Sequence, residues 1–243
     1  MDLGDRIKLY EAAYDAVLVA RLPIIIRVDG KAFHSYTKQC EHPFDAKLFD
    51  VMLRTATELC KQVQGTQVAY AFSDEISLLV HPYKSFESQP WMGGRLQKVC
   101  SVAAGIASAT FTVNSHHIFG ECRPAVFDAR AFVLPESDVC NYFLWRQQDA
   151  SRNSVQMLAR SMYSHRECHD KNGSQLQEMC FQKGTNWNDV PTRWRRGACI
   201  VKKTDALGHR GWVADLEIPL FNETRGYIND HLACNDVAGD ETE

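Results

Sequence analysis

Short apolar runs broken by acidic turns mark the first half of this chain. Pro23-Ile24-Ile25-Ile26-Arg27-Val28 is rich in β-branched residues and ends at Asp29-Gly30, which predicts a buried strand stopping at a turn. Residues 44 to 63 place Phe44, Leu48, Met52, Thr55, Leu59 and Val63 on one helical face, with Asp45 in the first turn. Val68 to Phe72 alternates with period two. Ile76, Leu78 and Val80 resume the alternation after Glu75, so residues 68 to 80 predict a hairpin turning at Ser73-Asp74-Glu75. Residues 97 to 113 are rich in small side chains and suit a helix packed closely on a sheet. Ala125 to Leu134 predicts another strand, ended by Pro135.

The order is β, α, β, β, α, β. That is the split βαβ, ferredoxin-like arrangement of the α+β class, with helices on one face of an antiparallel sheet. A long helix is expected from about Asp138 to His165. From about residue 174 the chain reads as irregular, with strand-like pieces at Ala198 to Val201 and near Trp212, and the tail after Asp236 reads as frayed. These patterns divide the chain into a ferredoxin-like unit over residues 1–135 and a helical and irregular extension over 136–243, packed on it as one unit.

Composition narrows the classes. The 243 residues are 45% hydrophobic, enough for a real core in one or two domains. A net charge of −3 argues against a whole surface adapted to nucleic acid but leaves room for a local basic groove. No run of 18 apolar residues suggests a spanning helix, and the mixed, acidic N-terminus resembles neither a signal nor a transit peptide. The nine cysteines are scattered with no CxxC, which points to buried thiols in a reducing cytoplasm.

In a split βαβ sheet the first strand lies beside the central hairpin. Asp29 then comes near Asp74 and Glu75, and carboxylates so close repel one another. A divalent cation removes the conflict. Mg²⁺ takes hard oxygen ligands, commonly one or two carboxylates plus substrate phosphates, and two such ions serve both oxygens of a phosphoryl transfer. Gly30 lets the backbone come close, with its carbonyl as a further ligand. Lys31 is placed to meet a triphosphate, and Phe33 and His34 to border a base or ribose. The simpler reading makes each acidic pair an ordinary polar turn and Phe33 a core residue. The arrangement is that of a polymerase or cyclase palm.

At Arg27-Val28-Asp29-Gly30-Lys31-Ala32-Phe33-His34-Ser35-Tyr36 and at residues 69–80, AYAFSDEISLLV, the sequence resembles the tRNA(His) guanylyltransferase family of reverse (3′–5′) polymerases. The resemblance continues through FDARAFVLP, YFLWRQQDASRN and GTNWNDVPTRWRRG, so it covers most of the chain. It implies a polymerase-like palm, two Mg²⁺ ions per site, ATP and GTP or other nucleoside triphosphates as substrates, tRNA as partner, and a homotetramer. It matches Asp29, the Gly30 carbonyl and Asp74 to metal ligands and Glu75 to a further acidic position, with Asp29, Asp74 and Glu75 as the catalytic set. Lys31, Ala32, Phe33, His34 and Ser73 match residues near the nucleotide. Arg27, Arg95 and Lys98 match residues that meet phosphates, and Asn153 an asparagine of the next motif.

That motif is where the sequence departs. Eukaryotic members carry a histidine after Trp-Arg-Gln-x-Asp-x, where this chain has Ser151. The position is tied to untemplated guanylate addition to tRNA(His). The serine version resembles the guanylyltransferase-like subgroup that repairs truncated tRNA 5′ ends by templated addition. The alternatives are guanylate addition to tRNA(His), a palm-type nucleotide cyclase, and a non-catalytic RNA-binding module.

Other clusters weigh less. Arg193, Arg195, Arg196, Lys202 and Lys203, with Trp187 and Trp194 interleaved, suit phosphate contact and base stacking, or a solvated face over core tryptophans. His165, Cys168, His169 and Cys180 fit no established zinc spacing. His116-His117 lies just past an expected helix end. Asp128 and Arg130 share one strand face and suggest an ion pair.

Overall fold

A computed structural model describes residues 1–83, 87–120, 123–204 and 208–232. In chain order it contains α1 (Leu3–Ala12), β1 (Ile24–Gly30), α2 (Phe33–Tyr36), α3 (Ala46–Gln62), β2 (Thr66–Phe72), β3 (Glu75–Val80), α4 (Leu96–Phe119) and β4 (Phe127–Val133). There follow α5 (Glu136–Met162), α6 (His165–Cys168), α7 (Gly173–Gln182), α8 (Thr192–Arg196), β5 (Ala198–Thr204), β6 (Arg210–Asp215) and α9 (Gly226–Asn229).

The strands form one antiparallel six-stranded sheet in the order β4-β1-β3-β2-β5-β6. The first four strands have the ferredoxin-like order that the sequence predicts. β5 and β6 then extend the same sheet from the edge of β2, so strand pairing crosses residue 135.

Alternation along the strands divides the core. Ile24, Ile26, Val28, Ile76, Leu78 and Val80 face α3 and α4 in one cluster. Ile25, Leu79, Val68, Tyr70, Cys199 and Val201 face the other way, against Val139, Cys140 and Phe143 of α5. A third cluster joins Val155, Leu158 and Ala159 of α5 to Leu176 and Cys180 of α7.

Several boundaries differ from the expectation, each for a physical reason. β1 runs through Asp29 and Gly30, which are ladder residues and not a turn. Asp45 is the N-cap of α3, accepting from the Leu48 N–H at 2.9 Å, so Phe44 lies outside the helix and stacks on Trp194. α4 continues to Gly120, whose positive φ of 78° closes it. His116 and His117 therefore occupy its last turn, where cations complement the dipole. The stretch after residue 174 is not all irregular. A reciprocal cap between Asn172 and Gln175 starts α7.

By length and mean hydropathy α4 reaches the range of a membrane-spanning helix, although polar residues interrupt its apolar stretch. In the fold it lies on the sheet, with Val99, Ala103, Ala107 and Phe111 in the core. The described cysteines are free thiols. Cys122, Cys234 and the tail after Asp236 fall outside the described residues.

Gly197 fixes the junction between the basic helix α8 and β5. Its φ is 83°, and a Cβ there would stand 2.6 Å from the Ala71 carbonyl oxygen and 2.9 Å from the Tyr70 hydroxyl. That hydroxyl donates to the Arg196 carbonyl at 2.8 Å. Gly197→Ala is expected to lower unfolding free energy by about 1–3 kcal/mol in urea denaturation. A midpoint equal to that of the native chain would contradict this packing.

Candidate active site

The register of β1 builds the site. Asp29 stands opposite Glu75 of β3 on one side and opposite Asp128 of β4 on the other. Directly opposed residues share a face, so three carboxyl-bearing positions form a row across three strands. The next row on that face holds Ser77, Arg27 and Arg130. Asp74 follows in the hairpin turn, and its carbonyl accepts the Gly30 N–H at 3.0 Å. Ser73, at φ 54°, turns the chain and donates its hydroxyl to the Asp74 carboxylate at 2.9 Å.

After Gly30 the backbone bends sharply. Lys31 N–H donates to the Val126 carbonyl at 2.8 Å, and Ala32 takes φ 56° before α2. A Cβ on Gly30 would stand 2.3 Å from the Phe33 ring, so only glycine fits there. Ala32 and Ser73 thus place two non-glycine residues in left-handed conformation at one end of the sheet, where backbone strain is stored. Lys31 and His34 are exposed, and His34 Nε2 lies 3.0 Å from the Ser35 hydroxyl.

A cleft of about 280 Å³ opens beside the turn, walled by Phe33, His34, Leu48, Ser73, Asp74 and Met157. A smaller apolar cavity of about 60 Å³ shares Leu48, Ser73 and Met157 with it and continues to Phe44, Trp194 and Arg193. Phe33 is core as well as wall. It is 4% exposed and packs on Tyr36, Phe111 and Phe127.

The residue match is family-wide. Residues 4–135 match the model of the tRNA(His) guanylyltransferase (Thg1) family. The chain belongs to the tRNA(His) guanylyltransferase family. A bacterial Thg1-like protein in complex with ATP superposes with a TM-score of 0.91 at 39% identity, over 96% of this chain and 100% of that one. A bacterial Thg1-like protein in complex with GTP gives 0.83 at 37% identity, over 95% and 98%. The tRNA(His) guanylyltransferase of Debaryomyces hansenii is 29% identical over 201 residues, 75% of this chain and 74% of that protein. The chain is thus a nucleotidyltransferase of the Thg1 family.

Within this Thg1-family fold the candidate residues separate into groups. Arg27, Asp29, Gly30, Lys31, Ala32, Phe33, His34, Ser73, Asp74 and Glu75 gather at one sheet end. Asn153 is exposed on α5, one turn before Met157 of the cleft wall. Arg193 reaches the adjoining cavity. Arg195 lies over the Trp187 ring, and the Nε atoms of Arg27, Arg195 and Arg196 are buried without a hydrogen-bond partner. Burial and the neighbouring Arg195 charge lower the Arg196 pKa. Trp187 and Trp194 are held in the fold, by a bond from Trp187 to Ser154 at 3.0 Å and by Phe44 and Phe49 around Trp194.

Arg95 and Lys98 do not join them within one chain. Both lie at the start of α4, sixteen and thirteen residues before Phe111, or about 24 and 20 Å along the helix, and Phe111 packs on Phe33. Arg95 instead pairs with Asp15 at 2.7 Å. Arg130 and Asp128 are exposed and 3.7 Å apart, so the ion pair forms on the surface. Among the described residues no three His, Cys, Asp or Glu side chains form a metal cage. His165, Cys168 and His169 line a polar surface pocket, while Cys180 is buried against α7 and α5.

Sequence reading missed the partner of Glu75. Arg146 of α5 grips it with Nε at 2.7 Å and a second nitrogen at 2.8 Å, and also bonds Asp149 at 3.0 Å. The signal was present in Trp145-Arg146-Gln147-Gln148-Asp149, one of the motifs of the family resemblance. The Arg146 guanidinium lies over the Trp145 ring at 4.4 Å. Burial opposes its charge, but Glu75 and Asp149 hold its pKa up. Arg146 thereby ties Glu75 of the hairpin to α5.

Burial raises the Asp74 carboxyl, Ser73 and backbone bonding pull it back, and Asp29 pushes it up again. Burial also raises Glu75, against the pull of Arg146. Hard oxygens with mutual repulsion suit Mg²⁺, which needs no complete protein cage. For a raised carboxyl, the stability it contributes is full below the unfolded value near pH 4 and lost as pH rises through the folded value. Asp74→Asn is therefore expected to raise the urea midpoint at pH 7, with the gain vanishing near pH 4. A native chain equally stable at pH 7 would contradict the repulsion. Arg146→Met, which strands Glu75, is expected to cost on the order of 2 kcal/mol at pH 7 and less in acid.

Proposed function

We propose that this chain adds nucleotides in the 3′–5′ direction to the 5′ end of tRNA, choosing each nucleotide by pairing with the opposite strand. The observation that supports the reading is the nearness of Asp29 to Asp74, which lines a cleft of about 280 Å³ at the same end of the sheet. The ATP and GTP complexes of the Thg1-like structures support nucleoside triphosphates as substrates. Ser151, in place of the eukaryotic histidine, favours templated repair over untemplated guanylate addition.

Asp29, Asp74 and the Gly30 carbonyl would hold two Mg²⁺ ions. When bound, the ions supply charge neutralisation and a more acidic hydroxyl. The rest falls to side chains. Lys31 and Arg27 offer positive charge to the triphosphate, and His34 and Ser73 border the nucleotide. Arg193, Arg195 and Arg196 offer phosphate contacts to the RNA beside the cleft. Glu75, held by Arg146, keeps the hairpin and α5 in fixed relation.

A 5′-monophosphate end attacks the α-phosphate of ATP and releases pyrophosphate. The 3′-hydroxyl of the incoming nucleotide then attacks the activated 5′ phosphate, and AMP leaves. A 5′-triphosphate end skips the first step and releases pyrophosphate in the second. Catalysis of this kind is mostly positioning and electrostatics.

The test supplies a tRNA lacking its first nucleotide, with Mg²⁺ and each nucleoside triphosphate in turn. Addition of the complementary nucleotide alone is expected. Guanylate addition whatever base stands opposite would replace the repair role with tRNA(His) maturation. Pyrophosphate release from a nucleotide alone, with no addition, would favour a cyclase. Asp29→Ala and Asp74→Ala are each expected to reduce addition on the order of 10³-fold or more with the fold retained, and full activity in either would overturn the ligand assignment.

A further inference from the structure

A short helix leaves its carbonyls without helical partners, and other groups must meet them. α2 has four residues. Thr37 takes the Phe33 carbonyl through both its N–H and its hydroxyl, each at 2.8 Å. The next carbonyls go to Arg123, on the connection between α4 and β4. Its guanidinium donates to the Tyr36 carbonyl at 3.0 Å and to the Ser35 carbonyl at 3.3 Å. The hold is reciprocal. The Tyr36 hydroxyl donates to the Arg123 carbonyl at 3.1 Å and lies 3.0 Å from the buried Ser115 hydroxyl of α4. The Arg123 guanidinium also lies over the Tyr36 ring, 4.6 Å from its centroid.

The Tyr36 ring stacks on Phe33 with centroids 5.2 Å apart. Phe33 is the cleft wall and occupies the space where a Cβ on Gly30 would stand. Contacts thus run from Arg123 through Tyr36 to Phe33. They matter because α2 is a thin partition. The cleft lies on one side of it. On the other, a cavity of about 140 Å³ is lined by Tyr36, Gln39, Cys40, Ser115, Phe119 and Arg123, and Cys40 borders both spaces. Ala32 enters the partition at φ 56°, a conformation that persists only where surrounding contacts enforce it.

Resting on the nucleotide reading of the cleft, we propose that Arg123 is a positioning residue for the nucleoside triphosphate. It holds α2, and with it Phe33 and His34, in the place that borders a bound nucleotide. Arg123 touches no reacting atom. Asp29, Asp74 and Glu75 belong to β1 and the hairpin, which the strand ladder fixes without it. Its loss therefore weakens nucleotide binding and leaves the chemical step nearly unchanged.

Two assays on the full chain test this, in native, Arg123→Met and Arg123→Lys forms. One is steady-state addition to a tRNA lacking its first nucleotide. The other is binding of a fluorescent, non-hydrolysable GTP analogue. Arg123 is exposed, and circular dichroism checks that the fold is kept. Arg123→Met is expected to raise the nucleotide KM and the analogue Kd about tenfold, the size of one charge-assisted hydrogen bond. Its kcat and its KM for tRNA are expected to stay near the native values. Arg123→Lys, which keeps the charge and one bond, is expected to recover most of the loss. Unchanged nucleotide affinity in Arg123→Met, a fall in kcat with both substrates weakened together, or a lysine variant no better than methionine would each overturn the proposal. A native chain that binds the analogue but adds no nucleotide would overturn the reaction, while weaker binding by Arg123→Met would still support the proposal. A native chain that does neither would overturn both.

Discussion

Asp29 has a carboxyl-bearing neighbour on each side, Glu75 and Asp128, because the antiparallel ladder puts it there. A slip of one residue in β1 would turn Asp29 into the α3–α4 core and bring Val28 to the site. The apolar alternation of Ile24, Ile26 and Val28 prevents that slip, since those side chains are fully buried on the opposite face. Core packing and site geometry are thus one constraint. The Gly30 N–H bond to Asp74 and the close fit of Gly30 against Phe33 then lock the cleft onto the same end of the sheet.

Gathered carboxylates cost stability, and the fold offsets part of that cost locally. Arg146 takes Glu75, leaving Asp29 without a counter-charge in the row and Asp74 in the turn that lines the cleft. Asp149 in turn holds Arg146 and Arg152, so the α5 segment that carries Ser151 and Asn153 is tied to the hairpin. The charges that fix this end of the sheet also hold α5 against it.

Much of this was legible in the sequence. The strand at 24–28, the hairpin with its acidic turn, and the strands near 198 and 212 all appear in the structure. Their apolar periods reflect burial that local pattern records directly. The end of β1 was less legible, because Asp29-Gly30 reads equally well as a turn until its ladder partners are known. Phe33 was ambiguous for the same reason, and it proves to be core and wall together. The Arg146 grip on Glu75 spans 71 residues of sequence, and no local pattern reports such a contact. Arg95 and Lys98 were placed by motif likeness, but the length of α4 carries them away from the cleft within one chain. The Asn172–Gln175 cap of α7 was a readable local signal that the polar composition around it obscured.

In the proposed reaction Asp29 and Asp74 together hold divalent cations beside the nucleotide cleft. Mn²⁺ titration followed by electron paramagnetic resonance, with a non-hydrolysable GTP analogue present, addresses it directly. The native chain is expected to take up Mn²⁺ in excess of that bound by the nucleotide alone, and Asp29→Asn/Asp74→Asn to take up none of this excess. Equal uptake by both chains, with the nucleotide still bound, would contradict the account.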